Sequence, residues 1–95
     1  MAKINENYLG YMARALLEIG EPRDALFFCA PRIKADPMNP TLLYYQAKGF
    51  MDLKLYDYAL IIAKYACELA PESNSTWVLL TKAYITTKSY KYVIG

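Results

Sequence analysis

The chain has 95 residues, 56% of them hydrophobic and 21% charged, with a formal net charge of +2. That apolar share is enough for a core and too high for a disordered segment, the charge is too small for a nucleic-acid footprint, and no run approaches the ~18 apolar residues of a membrane span. Histidine is absent, which removes the commonest acid/base group and a principal zinc ligand.

Residues 5–19 predict a first helix with Leu9, Met12, Ala13 and Leu16 inward, ending at Gly20, where a left-handed conformation costs little. Pro22 opens a second helix that runs to about Lys34 and carries Pro31 inside it. A proline there removes one hydrogen bond and clashes one turn back, so a bend or an early end is expected between Cys29 and Arg32. Asn39 and Pro40 supply a cap and a first-turn proline for a third helix over 40–53, whose Leu43, Ala47, Phe50 and Leu53 share one face. A fourth helix over 56–70 places Ala59, Ile62, Ala63, Ala66 and Leu69 on one side and Leu60, Ile61 and Tyr65 on the other, so two neighbours are expected. Asp57 suits its positive end and Pro71 stops it. Asn74, Ser75 and Thr76 read as the cap of a fifth helix over 75–87, and a short second helix is expected to start at Ser89.

These elements repeat. Pro37 and Pro71 differ by 34, as do Ala25, Ala59 and Val93; Leu9, Leu43 and Trp77; Ala13, Ala47 and Thr81; and Leu16, Phe50 and Tyr84. Gly20, Lys54 and Lys88 occupy the predicted corners in the same register. The period and the order of residue classes resemble the tetratricopeptide repeat. Trp77, Leu80 and Tyr84 match its first helix, and Ala59 and Pro71 its second, while Thr81 stands where glycine is usual and Cys29 and Ala63 replace a large residue. The resemblance implies an all-α, antiparallel helix-hairpin solenoid forming a single domain of about two and a half repeats, over residues 6–39, 40–73 and 74–95. With no polar capping helix after the third unit, the chain reads as a piece of a longer array, able to self-associate or exchange helices through that unit.

No chemistry-bearing constellation stands out. Cys29 and Cys67 fall in predicted second helices and read as small buried hydrophobes rather than a disulfide. The nine carboxylates scatter over corners and helix ends. Phosphate loops, Cys-x-x-Cys pairs and nucleophile elbows are missing, so neither an enzyme nor a cofactor or metal site is expected. One row is suggestive: Arg14, Lys48 and Lys82 are each 34 apart. Stacked repeats would align them as a cationic ladder along a concave groove, flanked by Tyr44, Val78, Met51, Ile85 and Leu17, fit for an acidic or carboxylate-bearing segment. The plainer account is pairing along the helix, Arg14 with Glu18 and Lys48 with Asp52, each four residues on. Gly10, Tyr44 and Val78 stand where the carboxylate-clamp version of the repeat wants Asn and Lys, which disfavours a chaperone-tail clamp.

The stretch LGYMARALLEIGEPRDALFFCAPRIKADPMNP, from Leu9 to Pro40, with YYQAKGFMDLKLYDYALIIAKYACELAPES after it, resembles the repeat region of the fungal exomer cargo adaptors, the ChAPs family. The resemblance implies protein partners: an adaptor scaffold subunit, an Arf-type GTPase and transmembrane cargo tails, met at the trans-Golgi membrane on the way to the cell surface. Met1–Asn7 lacks the layout of a secretory signal, so a cytoplasmic location, peripheral on that membrane, is expected, with no nucleic acid and no direct membrane insertion. The function expected is a non-catalytic interaction scaffold. A groove-type peptide receptor and a structural spacer are the alternatives.

Overall fold

The computed structural model describes the backbone over residues 6–94, and side chains for Tyr8 and over 10–88. Five helices follow in order: α1 (Glu6–Glu18), α2 (Pro22–Ala35), α3 (Pro40–Asp52), α4 (Tyr56–Leu69) and α5 (Asn74–Ile94). No strand occurs among the described residues.

The repeat holds bond for bond. At the first corner the Gly20 amide donates to the Leu17 carbonyl at 3.1 Å and the Glu21 amide to that of Leu16 at 2.8 Å; at the second, Lys54 donates to Met51 at 3.0 Å and Leu55 to Phe50 at 2.9 Å. Both corners close through a left-handed residue, Gly20 at φ 82° and Lys54 at φ 63°, which lets the last carbonyls of one helix be satisfied before the chain reverses. The turns before α3 and α5 also match, Asn39 donating to Asp36 at 3.2 Å and Ser73 to Ala70 at 3.1 Å. The Asn39 side chain accepts from the amides of Thr41 (3.0 Å) and Leu42 (3.3 Å), with Pro40 in the first turn, as a proline-led helix start requires. Ahead of α5 the capping position falls to Ser73, one residue before the expected triplet, because Asn74 is already helical; its Oγ accepts from the Thr76 hydroxyl at 2.9 Å.

Two expectations about the helices are corrected. Pro31 does not end α2, which continues to Ala35. The carbonyl deprived of its donor is that of Phe27, on an exposed residue where water can serve it. One residue on, the Arg32 guanidinium donates to the Phe28 carbonyl at 2.8 Å and lies 3.8 Å over the Phe28 ring. The second correction is at the third corner. The chain does not turn at Lys88 to begin a helix at Ser89; α5 continues to Ile94. Neither glycine nor proline marks that position, and a corner there would put a lysine in the left-handed backbone that a continuing helix avoids.

Packing centres on α3. On one side, Leu42 joins Ala13 and Cys29, backed by Phe28, Ile33 and Tyr45; on the other, Ala47 joins Ala63 and Leu79, backed by Tyr44, Met51, Ile62 and Leu80. Alanine at 13, 25, 47, 59, 63, 66 and 83 is fully buried, so helices approach closely along small residues. Gly49 allows a close approach of α3 to α2: a Cβ there would lie 3.0 Å from Leu26 Cδ2. The first helices α1, α3 and α5 touch in succession whereas α2 and α4 do not touch each other, so the stack curves with the first helices on the inner side.

Some side chains face otherwise than periodicity indicates. Met12 is exposed, and so are Ile61 and Tyr65 on α4. The helix does have two neighbours, α3 and α5. Its buried residues are the small Ala59, Ala63, Ala66 and Cys67, and Ile62 packs beside Ala63, while Ile61 and Tyr65 stay exposed. The inward reading of Leu9 and the Val93 row fall outside the described side chains.

Candidate partner-binding groove

A concave groove of about 620 Å³ opens on the inner side of the stack. Arg14 and Glu18 reach it from α1, Pro40, Thr41, Tyr44, Tyr45 and Lys48 from α3, and Ala70, Glu72, Ser73, Ser75 and Thr76 from the corner into α5. Its shape follows from the repeat. Gly10 lets α1 settle against α3, since a Cβ there would meet Thr41 Cγ2 at 3.0 Å. At the other end, Trp77 Nε1 donates to the Pro71 carbonyl at 2.6 Å and ties the α4–α5 corner to the first turn of α5.

The groove carries both signs of charge. Arg14 Nε donates to Glu18 Oε1 at 2.9 Å, one helical turn away, and that bond raises the guanidinium pKa above its ordinary value. Glu72 adds a second carboxylate. Lys48 does not bridge to Asp52; its Nζ stands 6.0 Å from the centre of the Tyr44 ring, and it has no carboxylate partner among the described residues. Tyr44 and Tyr45 meet edge to face at 5.0 Å, an aromatic pair held by the helix beneath it. Burial, and then the neighbouring Tyr44, push the Tyr45 hydroxyl pKa up, so it stays a neutral donor at the groove wall.

Of the residues singled out by the 34-residue period, Arg14, Lys48 and Tyr44 come together here. Lys82, Val78 and Ile85 are exposed on α5, outside the lining of this groove. Met51 packs against the Ala47 cluster and Leu17 is half-buried. Glu18, Tyr45, Glu72 and Ser75 line the groove without having been picked as groove residues. Glu72 belongs to a corner, where no helical period applies; for Ser75 the signal available was Thr41, which occupies the equivalent place one repeat earlier.

Nothing in this arrangement gathers a nucleophile with a base. It offers a shaped surface with fixed aromatic and charged groups, which suits recognition of another chain. No helix among the described residues is long and apolar enough to cross a membrane. A family model described as ChAPs (Chs5p-Arf1p-binding proteins) matches residues 1–94. Because that match runs through both hairpins and all of α5, the chain belongs to the ChAPs family.

Proposed function

We propose that this chain is a non-catalytic interaction scaffold within an exomer-like adaptor that exports cargo from the trans-Golgi to the plasma membrane. The observation that carries this reading is the family match over nearly the whole chain, whose description names binding to Chs5p and Arf1p. The hairpin stack supports it, since such stacks work by presenting long surfaces to other proteins. Partners on this reading are an adaptor scaffold subunit and an Arf-type GTPase, with transmembrane cargo tails as the third class. Calorimetric titration of the chain with each purified partner is the test. Micromolar binding to either one is expected, and heats of dilution alone with both would refute it.

A second reading, a receptor for acidic or carboxylate-bearing segments, is favoured by Lys48, which faces the groove without a carboxylate partner among the described residues. Alanine at Arg14, Lys48 and Lys82 together separates the two. If the ladder holds the ligand, affinity drops about tenfold or more at low salt and less at high salt, because screening already weakens exposed charge pairs. Unchanged affinity removes the receptor reading and leaves the scaffold.

A further inference from the structure

The outer side of the stack carries two stripes that answer each other. On α2, Arg23, Phe27 and Lys34 fall four and seven residues apart, on one face of the helix, and all three are exposed. One repeat later the same places on α4 hold Asp57, Ile61 and Glu68, also exposed. The apolar residue is kept in the middle, Phe27 at 76% exposure and Ile61 at 64%, while both flanking charges are reversed. Lys34 and Glu68 have no salt-bridge partner among the described residues. This face is not left open by the end of the stack, because α4 is packed between α3 and α5 and still presents Ile61 and Glu68 to solvent. Nor can the two stripes meet within one chain, since α2 and α4 lie side by side on the outer face without touching.

We infer that the outer face of α2 and α4 is a dimer interface whose occupant is a second copy of this chain. A two-fold axis running along the helices, between the copies, sets α2 of each on α4 of the other, parallel and in the same register. Lys34 of one copy then meets Glu68 of the other, Phe27 meets Ile61 and Arg23 meets Asp57, and the symmetry makes the set twice over. A two-fold axis across the helices would instead lay α2 on α2 and α4 on α4, bringing Arg23 to Lys34 and Asp57 to Glu68, so like charges oppose it. A surface of one sign, such as nucleic acid or an anionic lipid layer, would meet carboxylates as well as cations. The alternation therefore calls for a protein, and the order of its charges is the one this chain carries. Exposed charge pairs are individually weak, so Phe27 and Ile61 anchor the contact and the charges set its register. The surface is distinct from the groove, and it does not depend on which partner the groove takes.

Sedimentation velocity of the intact chain over a range of concentrations is the test. A monomer–dimer equilibrium with a dissociation constant on the order of 100 µM is expected at low ionic strength, weakened about tenfold at about 1 M salt. Lys34→Glu and Glu68→Lys should each abolish the dimer without altering circular dichroism, because both crossings then oppose like charges. Mixing the two variants is the decisive arm. In a mixed pair every crossing regains opposite signs, so dimers return, as they should in a chain carrying both changes. A chain that stays monomeric up to ~1 mM would overturn the proposal. Association that either single variant leaves intact would also overturn it and place the contact elsewhere, as on the open face of α5. So would a mixture that stays monomeric while both variants remain folded, since the two stripes would then not be facing each other.

Discussion

Helices α3 and α5 occupy the same place in successive repeats, yet they live in different surroundings. Leu43 is 3% exposed and its counterpart Trp77 44%; Ala47 is fully buried and its counterpart Thr81 lies in solvent. The opposite faces of the two helices agree: Leu42 and Thr76 are both buried, as are Gly49 and Ala83. The shared face meets the preceding second helix, α2 for α3 and α4 for α5. On α3 the divergent face meets the following second helix, α4; on α5 no helix among the described residues covers it. A repeat residue is therefore a core residue by virtue of its neighbour, and identical spacing in sequence carries no burial of its own.

The sharpest way to break this comparison is to place the same side chain at both positions. Ala47→Leu forces three extra heavy atoms between α3 and α4, against Ala63, and is expected to destabilise the fold by about 3 kcal/mol in urea unfolding, whereas Thr81→Leu should stay within about 0.5 kcal/mol. Similar losses at both sites would mean that the α5 face is covered.

The caps give a smaller contrast. Asn39→Ala leaves the Thr41 and Leu42 amides without their acceptor and should cost about 1 kcal/mol. Ser73→Ala should cost about half as much, since the Ser73 Oγ is taken up by Thr76 rather than by an amide. Equal losses would show that Ser73 caps α5 as fully as Asn39 caps α3.

Corners divide the two helices again. Lys54 holds a left-handed backbone, so Lys54→Gly should raise stability by up to about 1 kcal/mol, while Lys88→Gly, inside a continuous helix, should lower helix content by circular dichroism and cost a similar amount. A gain from glycine at both positions would mean that the chain turns at Lys88 as it does at Lys54.

The smallest effect concerns pH. Burial pushes the Cys29 thiol up to about 11 from an ordinary value of 9.0, the nearby Arg32 opposing it. The unfolded chain then loses this proton first, so the contribution to stability is complete below about pH 9 and is lost as pH rises through about 11. Cys29→Ala should flatten that part of the alkaline decline; a decline of unchanged steepness would show that Cys29 takes no share in it.

Legibility followed the range of the interactions involved. Gly20, Pro22, Asn39, Pro40 and Pro71 act within a few residues, through backbone conformations and donors that each residue type imposes, and they placed four helices and their turns. The 34-residue rows placed the hairpins against one another. The early end allowed for near Pro31 does not occur: the residue whose carbonyl loses its donor, Phe27, is exposed, and exposure is decided by distant packing. In the groove, Arg14, Tyr44 and Lys48 were visible as rows, whereas Glu72 arrives from a corner and Ser75 from the first turn of α5, and their reach depends on how α5 leans on α3.

Taken alone, the order of amino acids determined the period, the hairpin corners and the small-residue seams, because each rests on local sterics and on spacing along one helix. Tertiary structure decided which seams are closed, which of the two apolar sides of α4 faces outward, and whether Lys88 turns or continues. Those outcomes depend on a neighbouring surface to bury against, and burial is a property of two elements brought together rather than of either one.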